Sequence, residues 1–207
     1  MHMTTKSLLP SRYFILAIVF FVIVDVSHAA IPGLPESTLR YGFSVGTLSM
    51  GVDDPEGLDP DSQSVVPINL MLTDWLPDGK RYWLDLVFSE AAYASATNKI
   101  GQNVRYTSLR ALIQKDIKLI PKIIPWVGVG LEMSQTKYNT RHTKASDGFL
   151  LEKFEDRSLV NLGLVLNLTS DWELKNNWFL GFKMEQVFNP ENNINARSMS
   201  AYFLYTL

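Results

Sequence analysis

From residue 39 to the C-terminus, apolar and polar positions alternate with a period of two. That periodicity marks strands whose two faces meet different surroundings. In the first such segment Leu39, Tyr41, Phe43 and Val45 form one face, and Arg40, Gly42, Ser44 and Gly46 the other. Seven further segments repeat the pattern. Their apolar faces carry Ile68, Leu70 and Leu72; Tyr82, Leu84 and Phe88; Leu109, Ala111 and Ile113; Val127, Val129 and Leu131; Leu162, Leu164 and Leu166; Leu180, Phe182 and Met184; and Phe203, Tyr205 and Leu207. The alternate positions hold Asn69, Asp85, Arg110, Glu132, Asn167, Lys183, Glu185 and Ser200, together with several glycines. The fourth segment, residues 104–115, has the weakest alternation.

Two architectures use such strands. A soluble sandwich turns the apolar faces into a core of large interdigitating side chains. A membrane barrel turns them out to lipid and fills a narrow lumen with the small, polar face. Glycines on the polar face favour the barrel. The connections agree: residues 77–80, with Asp78-Gly79 as hairpin chemistry, and residues 116–121 and 170–177 are short. Residues 52–64, 94–103, 138–156 and 189–195 are mostly longer and more polar. Short turns at one end and long loops at the other is the outer-membrane arrangement, the short turns being periplasmic. The expected fold class is all-β, a transmembrane antiparallel up-and-down β-barrel of about eight strands. Ten strands stay open, because residues 150–154 could extend a hairpin, and a periplasmic sandwich remains the rival fold.

The N-terminal residues follow a different pattern. Lys6 and Arg12 precede an unbroken apolar run at residues 13–24, and Ser27 and Ala29 then supply a small-x-small cleavage site. Twelve residues reach only about 18 Å as a helix, short of the ~30 Å hydrocarbon core. The organisation expected is a signal peptide at 1–29 and a barrel domain at 30–207.

Composition removes several function classes. The chain of 207 residues is 46% hydrophobic, with a formal net charge of -2, which gives no basic footprint for nucleic acid. It contains no cysteine, so disulfides and thiolate metal sites are impossible. No cofactor or metal is expected.

Two stretches then carry a family likeness. Pro125-Trp126-Val127-Gly128-Val129-Gly130-Leu131 and the terminal strand Met199 to Leu207 resemble the eight-stranded outer-membrane barrels of the OmpX, OmpW and OmpA-domain type. The resemblance implies a Gram-negative outer-membrane location among outer-membrane lipids and lipopolysaccharide. It also implies insertion by the barrel-assembly machinery, with Phe203, Tyr205 and Leu207 as the assembly signal strand. Members often end in Phe, whereas this chain ends in Leu207.

Candidate chemistry lies on the inward register. Arg40, Asp85, Arg110, Glu132, Lys183 and Glu185 form a balanced set of charges, which a narrow lumen must pair or hydrate. A salt-bridged plug is the first reading. An OmpW-like path for small hydrophobic solutes is the second, and a lipid A-modifying enzyme the third. Trp75, Tyr82, Trp172, Trp178 and Tyr205 are candidate interface aromatics. Catalysis has little to work with: after cleavage His142 is the sole histidine, expected on an external loop, so no catalytic residue is assigned. The same loop carries Lys137, Arg141, Lys144 and Lys153, suited to lipopolysaccharide phosphates. The first loop, with Asp53, Asp54, Glu56, Asp59 and Asp61, is acidic but lacks the spacing of a calcium-binding loop.

Overall fold

The computed structural model describes residues 39–52, 61–117, 124–174, 177–189 and 196–206. The signal-peptide segment, most of the acidic first loop and Leu207 lie outside these described residues. Ten strands follow in chain order: β1 (Arg40–Val52), β2 (Asp61–Val65), β3 (Ile68–Leu76), β4 (Lys80–Tyr93), β5 (Gly101–Asp116), β6 (Ile124–Lys144), β7 (Leu150–Lys153), β8 (Arg157–Glu173), β9 (Trp178–Phe188) and β10 (Ala196–Thr206).

These ten pieces make eight walls. Strands β2 and β3 both pair with β1 in a single register, through Leu48↔Val65 and Val45↔Ile68. They are one strand, interrupted where Pro67 has no N–H to donate. Strands β7 and β8 likewise share one register on β6, through His142↔Lys153 and Tyr138↔Arg157. The segment near residue 150 therefore extends a hairpin and adds no wall. All neighbours are antiparallel, and β10 pairs with β1 from Arg40↔Thr206 to Met50↔Ala196, closing the sheet on itself.

Closure fixes the geometry. Following direct partners from Arg40, the path runs through Thr73, Trp83, Leu112, Gly130, Val165, Val187 and Ala196 and returns to β1 at Met50. The return lies ten residues (50 minus 40) further along the strand. A stagger of ten residues at ~3.4 Å around eight strands at ~4.8 Å tilts the strands by about 41°. The backbone cylinder then has a radius of about 8 Å, wide enough for side chains and little else.

The faces follow the alternation in all eight walls. Phe43, Leu70, Ile113, Val129, Leu131, Leu162 and Met199 are exposed on the outer surface, while Ser44, Asn69, Asp85, Arg110, Glu132, Asn167, Lys183 and Ser200 are buried inside. A closed cylinder with an apolar exterior and polar interior is stable only with hydrocarbon around it. A sandwich would bury the first set, and this sheet does the reverse. Leu39, assigned by alternation to the outer face, is buried instead, just ahead of β1.

Two glycine positions are demanded by geometry. Asp78 and Gly79 have φ of 64° and 62°, the mirror-image turn that matches strand twist, and Gly79 O accepts a 3.0 Å bond from Asp116 N of the next turn. Gly181 sits directly opposite Tyr202, whose ring lies across it; a Cβ there would come within 2.1 Å of the ring.

The third long loop differs most from expectation. Residues 138–144 continue β6 as strand, and Thr140 sits at φ 54° beside a register shift between Gly101 and Asn103. The extra residue reverses the alternation beyond it. Arg141 and Thr143 are consequently buried, while His142 lies on a strand and not in a free loop.

Candidate functional site

The lumen holds two charged tiers. The central tier is built from β4, β5, β6 and β9, whose inward positions place Asp85, Arg110, Glu132, Lys183 and Glu185 at neighbouring levels. Arg110, 1% exposed, donates through Nε to Glu132 Oε2 at 2.6 Å and through Nη1 to Glu185 Oε2 at 2.7 Å. Its Nη2 reaches the Tyr106 hydroxyl at 3.3 Å. Lys183 bonds Asp85 and lies 3.0 Å from Glu185 Oε2. Ser198 donates to the same Glu185 oxygen at 3.2 Å. Three carboxylates thus share two cations.

The second tier lies toward the short-turn end, and sequence reasoning missed most of it. Arg81 is buried between the rings of Trp83 and Trp126, its guanidinium carbon 4.9 and 4.1 Å from their centroids. It pairs with Asp171 through Nη1, bonds Gln114 through Nε, and donates to Thr169 Oγ1 at 2.7 Å. Tyr202 donates its hydroxyl proton to Asp171. Arg81 continues the inward parity of Trp83 and Asp85, and Asp171 that of Asn167, so the alternation itself held the signal. Arg40 and Arg81 both face the carboxylate of Asp171, and Glu173 adds a further negative charge acting on Arg40. Planar guanidinium groups suit such sites because they stack on rings while still hydrogen-bonding in plane.

Two assignments need correction. Arg40 does not join the other five expected lumen charges. It belongs to the lower tier, 3.9 Å from Asp171 Oδ2 and 3.8 Å from the Phe179 ring centroid, because β1 enters the barrel at this end. Trp75 is not a lipid-facing anchor. It shares the inward parity of Met71 and Thr73 and packs edge-on against Trp126 at 4.7 Å, below the Arg40 guanidinium. Of the other aromatics, Trp178 and Trp172 are exposed on the outer face. Tyr205 bridges Trp178 at 5.0 Å and Tyr41 at 5.9 Å, and Tyr82 is half-buried on the outside. Phe203 stacks on Phe43 across the closing seam at 5.7 Å.

Beyond the central tier Leu48, Met50, Val87, Val104, Tyr106 and Val187 are buried together, interleaved with the inward polar side chains of Ser108, Ser134, Thr136 and Asn161. His142 Nδ1 lies 2.7 Å from the Thr140 carbonyl oxygen on the exposed hairpin. Among the described residues no cluster of three metal-ligating side chains occurs.

No protein-family profile matches the chain, and no curated protein sequence matches it. Solved structures do. Neisserial surface protein A superposes with a TM-score of 0.58 at 12% identity, over 83% of this chain and 98% of that one. The outer membrane protein OprG of Pseudomonas aeruginosa gives 0.53 at 12% identity, over 82% and 94%. The attachment invasion locus protein Ail of Yersinia pestis gives 0.52 at 11%, over 81% and 98%. These likenesses concern the fold. Together with its apolar belt, they give the chain the fold of the small eight-stranded barrels of the Gram-negative outer membrane.

Proposed function

We propose that this barrel is a closed, non-conducting membrane scaffold whose work is done by its rim and outer wall. The observation that carries the reading is the lower tier: Arg81, held between Trp83 and Trp126 and tied to Asp171, fills the short-turn end of a cylinder only about 8 Å in radius. A conducting path would have to displace that ion pair, three indoles and then the Lys183–Asp85 pair above it. The hairpin β6/β7, by contrast, carries its apolar tip into solvent, with Phe149 74% exposed. Such a tip suits contact with another molecule better than solitary exposure.

Planar-bilayer recording on the purified full chain tests the closure. No steady single-channel steps are expected. Regular steps would overturn the closed reading in favour of a small-solute channel.

A further inference from the structure

On the outer wall, at the long-loop end, two cations stand face to face. Arg105 on β5 and Lys137 on β6 are direct cross-strand partners. Both carry the outward parity of their strands, following Thr107 and Leu109 on one and Gln135 and Met133 on the other. Residues so paired have Cβ atoms about 5 Å apart, and like charges there repel. Glu90 on β4 answers one of them, 3.3 Å from Arg105, with both side chains more than half exposed. Among the described residues no carboxylate lies within ion-pair distance of Lys137. Within the described residues one positive charge therefore remains uncompensated beside a guanidinium.

The surroundings grade from charged to polar to apolar in the direction of the membrane. Ser158 lies opposite Lys137 and accepts from Gln135 Nε2 at 3.3 Å. Next comes the bare apolar wall, with Val160 opposite Gln135 and Leu162 opposite Met133; Val160 and Leu162 are about two-thirds exposed and Met133 nearly half. Four residues separate Lys137 from Met133, which at a ~41° tilt is about 10 Å of height, within reach of a headgroup for long side chains. The far side of the rim lacks this arrangement: Arg197 there is already engaged by Gln186 Oε1 at 2.7 Å.

We propose that Arg105 and Lys137 bind the phosphate of an anionic lipid in the outer leaflet, with Gln135 and Ser158 as neighbouring hydrogen-bond groups and the acyl chains against Met133 and Leu162. Paired cations at one spacing suit a phosphate, which offers several acceptor oxygens to a fork of donors. The apolar wall directly below commits the site to a lipid over free phosphate. Sequence alone groups Lys137 with Arg141, but the reversal at Thr140 turns Arg141 inward, where it donates to the Glu155 carbonyl oxygen at 3.0 Å. The inference rests on the membrane-barrel reading and not on the closed lumen, so lipid retention and conductance fail separately.

The test is native mass spectrometry of the full chain released from phosphatidylcholine nanodiscs doped with bisphosphorylated lipid A or its dephosphorylated form. Preferential retention of the phosphorylated lipid, by about tenfold, is expected for the wild type. The Arg105→Gln/Lys137→Gln variant should lose that preference, Glu90→Gln should increase it, and Arg197→Gln should leave it unchanged. Undiminished preference in the double variant would overturn the proposal, as would an equal loss in Arg197→Gln or full competition by millimolar inorganic phosphate. Should the double variant fail to fold, an unchanged Glu90→Gln would overturn it as well.

Discussion

Replacing Arg110 with Met removes a lumen cation that bridges two buried carboxylates. The guanidinium serves Glu132 at 2.6 Å and Glu185 at 2.7 Å, and all three side chains are essentially excluded from solvent. Each contact, at a charge separation of ~4 Å and an effective dielectric of ~20, is worth about 4 kcal/mol of Coulomb energy. The two losses do not add equally. Glu185 keeps Lys183 at 3.0 Å, whereas Glu132 loses its cation. One orphaned buried carboxylate sets the cost, which falls near the lower end of the range for a broken buried pair, about 3 kcal/mol. Unfolding from phospholipid vesicles in urea, followed by tryptophan fluorescence and by heat-modifiable mobility, should show the midpoint falling by about 1–3 M. Adding Glu132→Gln to Arg110→Met removes the orphan and should restore about 2 kcal/mol of the loss. A shift below ~0.5 M in the single variant would refute the reasoning, because it would mean that water already screens this tier.

Two further outcomes follow from the geometry. Gly181→Ala places a methyl group in the Tyr202 ring and should destabilise the barrel by about 1–3 kcal/mol, visible as a lower urea midpoint; a neutral result would mean that Tyr202 is free to leave its bond to Asp171. In single-tryptophan variants, lipids with brominated acyl chains should quench Trp178 and leave Trp83 and Trp126 bright, since only the first faces outward; quenching of Trp126 would contradict the inward register of β6.

Parity made most of this fold legible. Eight alternating segments predict the walls, and a single glance at Phe43 against Ser44, or Leu131 against Glu132, assigns inside and outside. Parity also fails for identifiable reasons. It says nothing about height along the barrel, so Arg40 and Lys183 look like members of one network although the ten-residue stagger puts them in different tiers. It runs on into the strand ends beside the turns, where Arg81 and Asp171 continue it. It breaks at Thr140, whose positive φ is rare for a β-branched residue and leaves no mark in the sequence. Residue type alone points Trp75 to the interface, whereas its position in the alternation turns it inward.

The division of lumen charge has a consequence for any leak. Counting only the described residues in ion-pair contact, the central tier sets three carboxylates against two cations, and the lower tier two cations against Asp171, with Glu173 acting on Arg40 from further off. An ion crossing the barrel would meet opposite fixed charges in series. A cation welcomed at the first station is repelled at the second, and an anion meets the same obstacle in reverse order. In the closed reading proposed above, the two tiers would act as ion filters of opposite selectivity placed in series. Loosening either tier alone would therefore still leave a barrier to salt, and any seepage through a relaxed lumen would favour uncharged solutes.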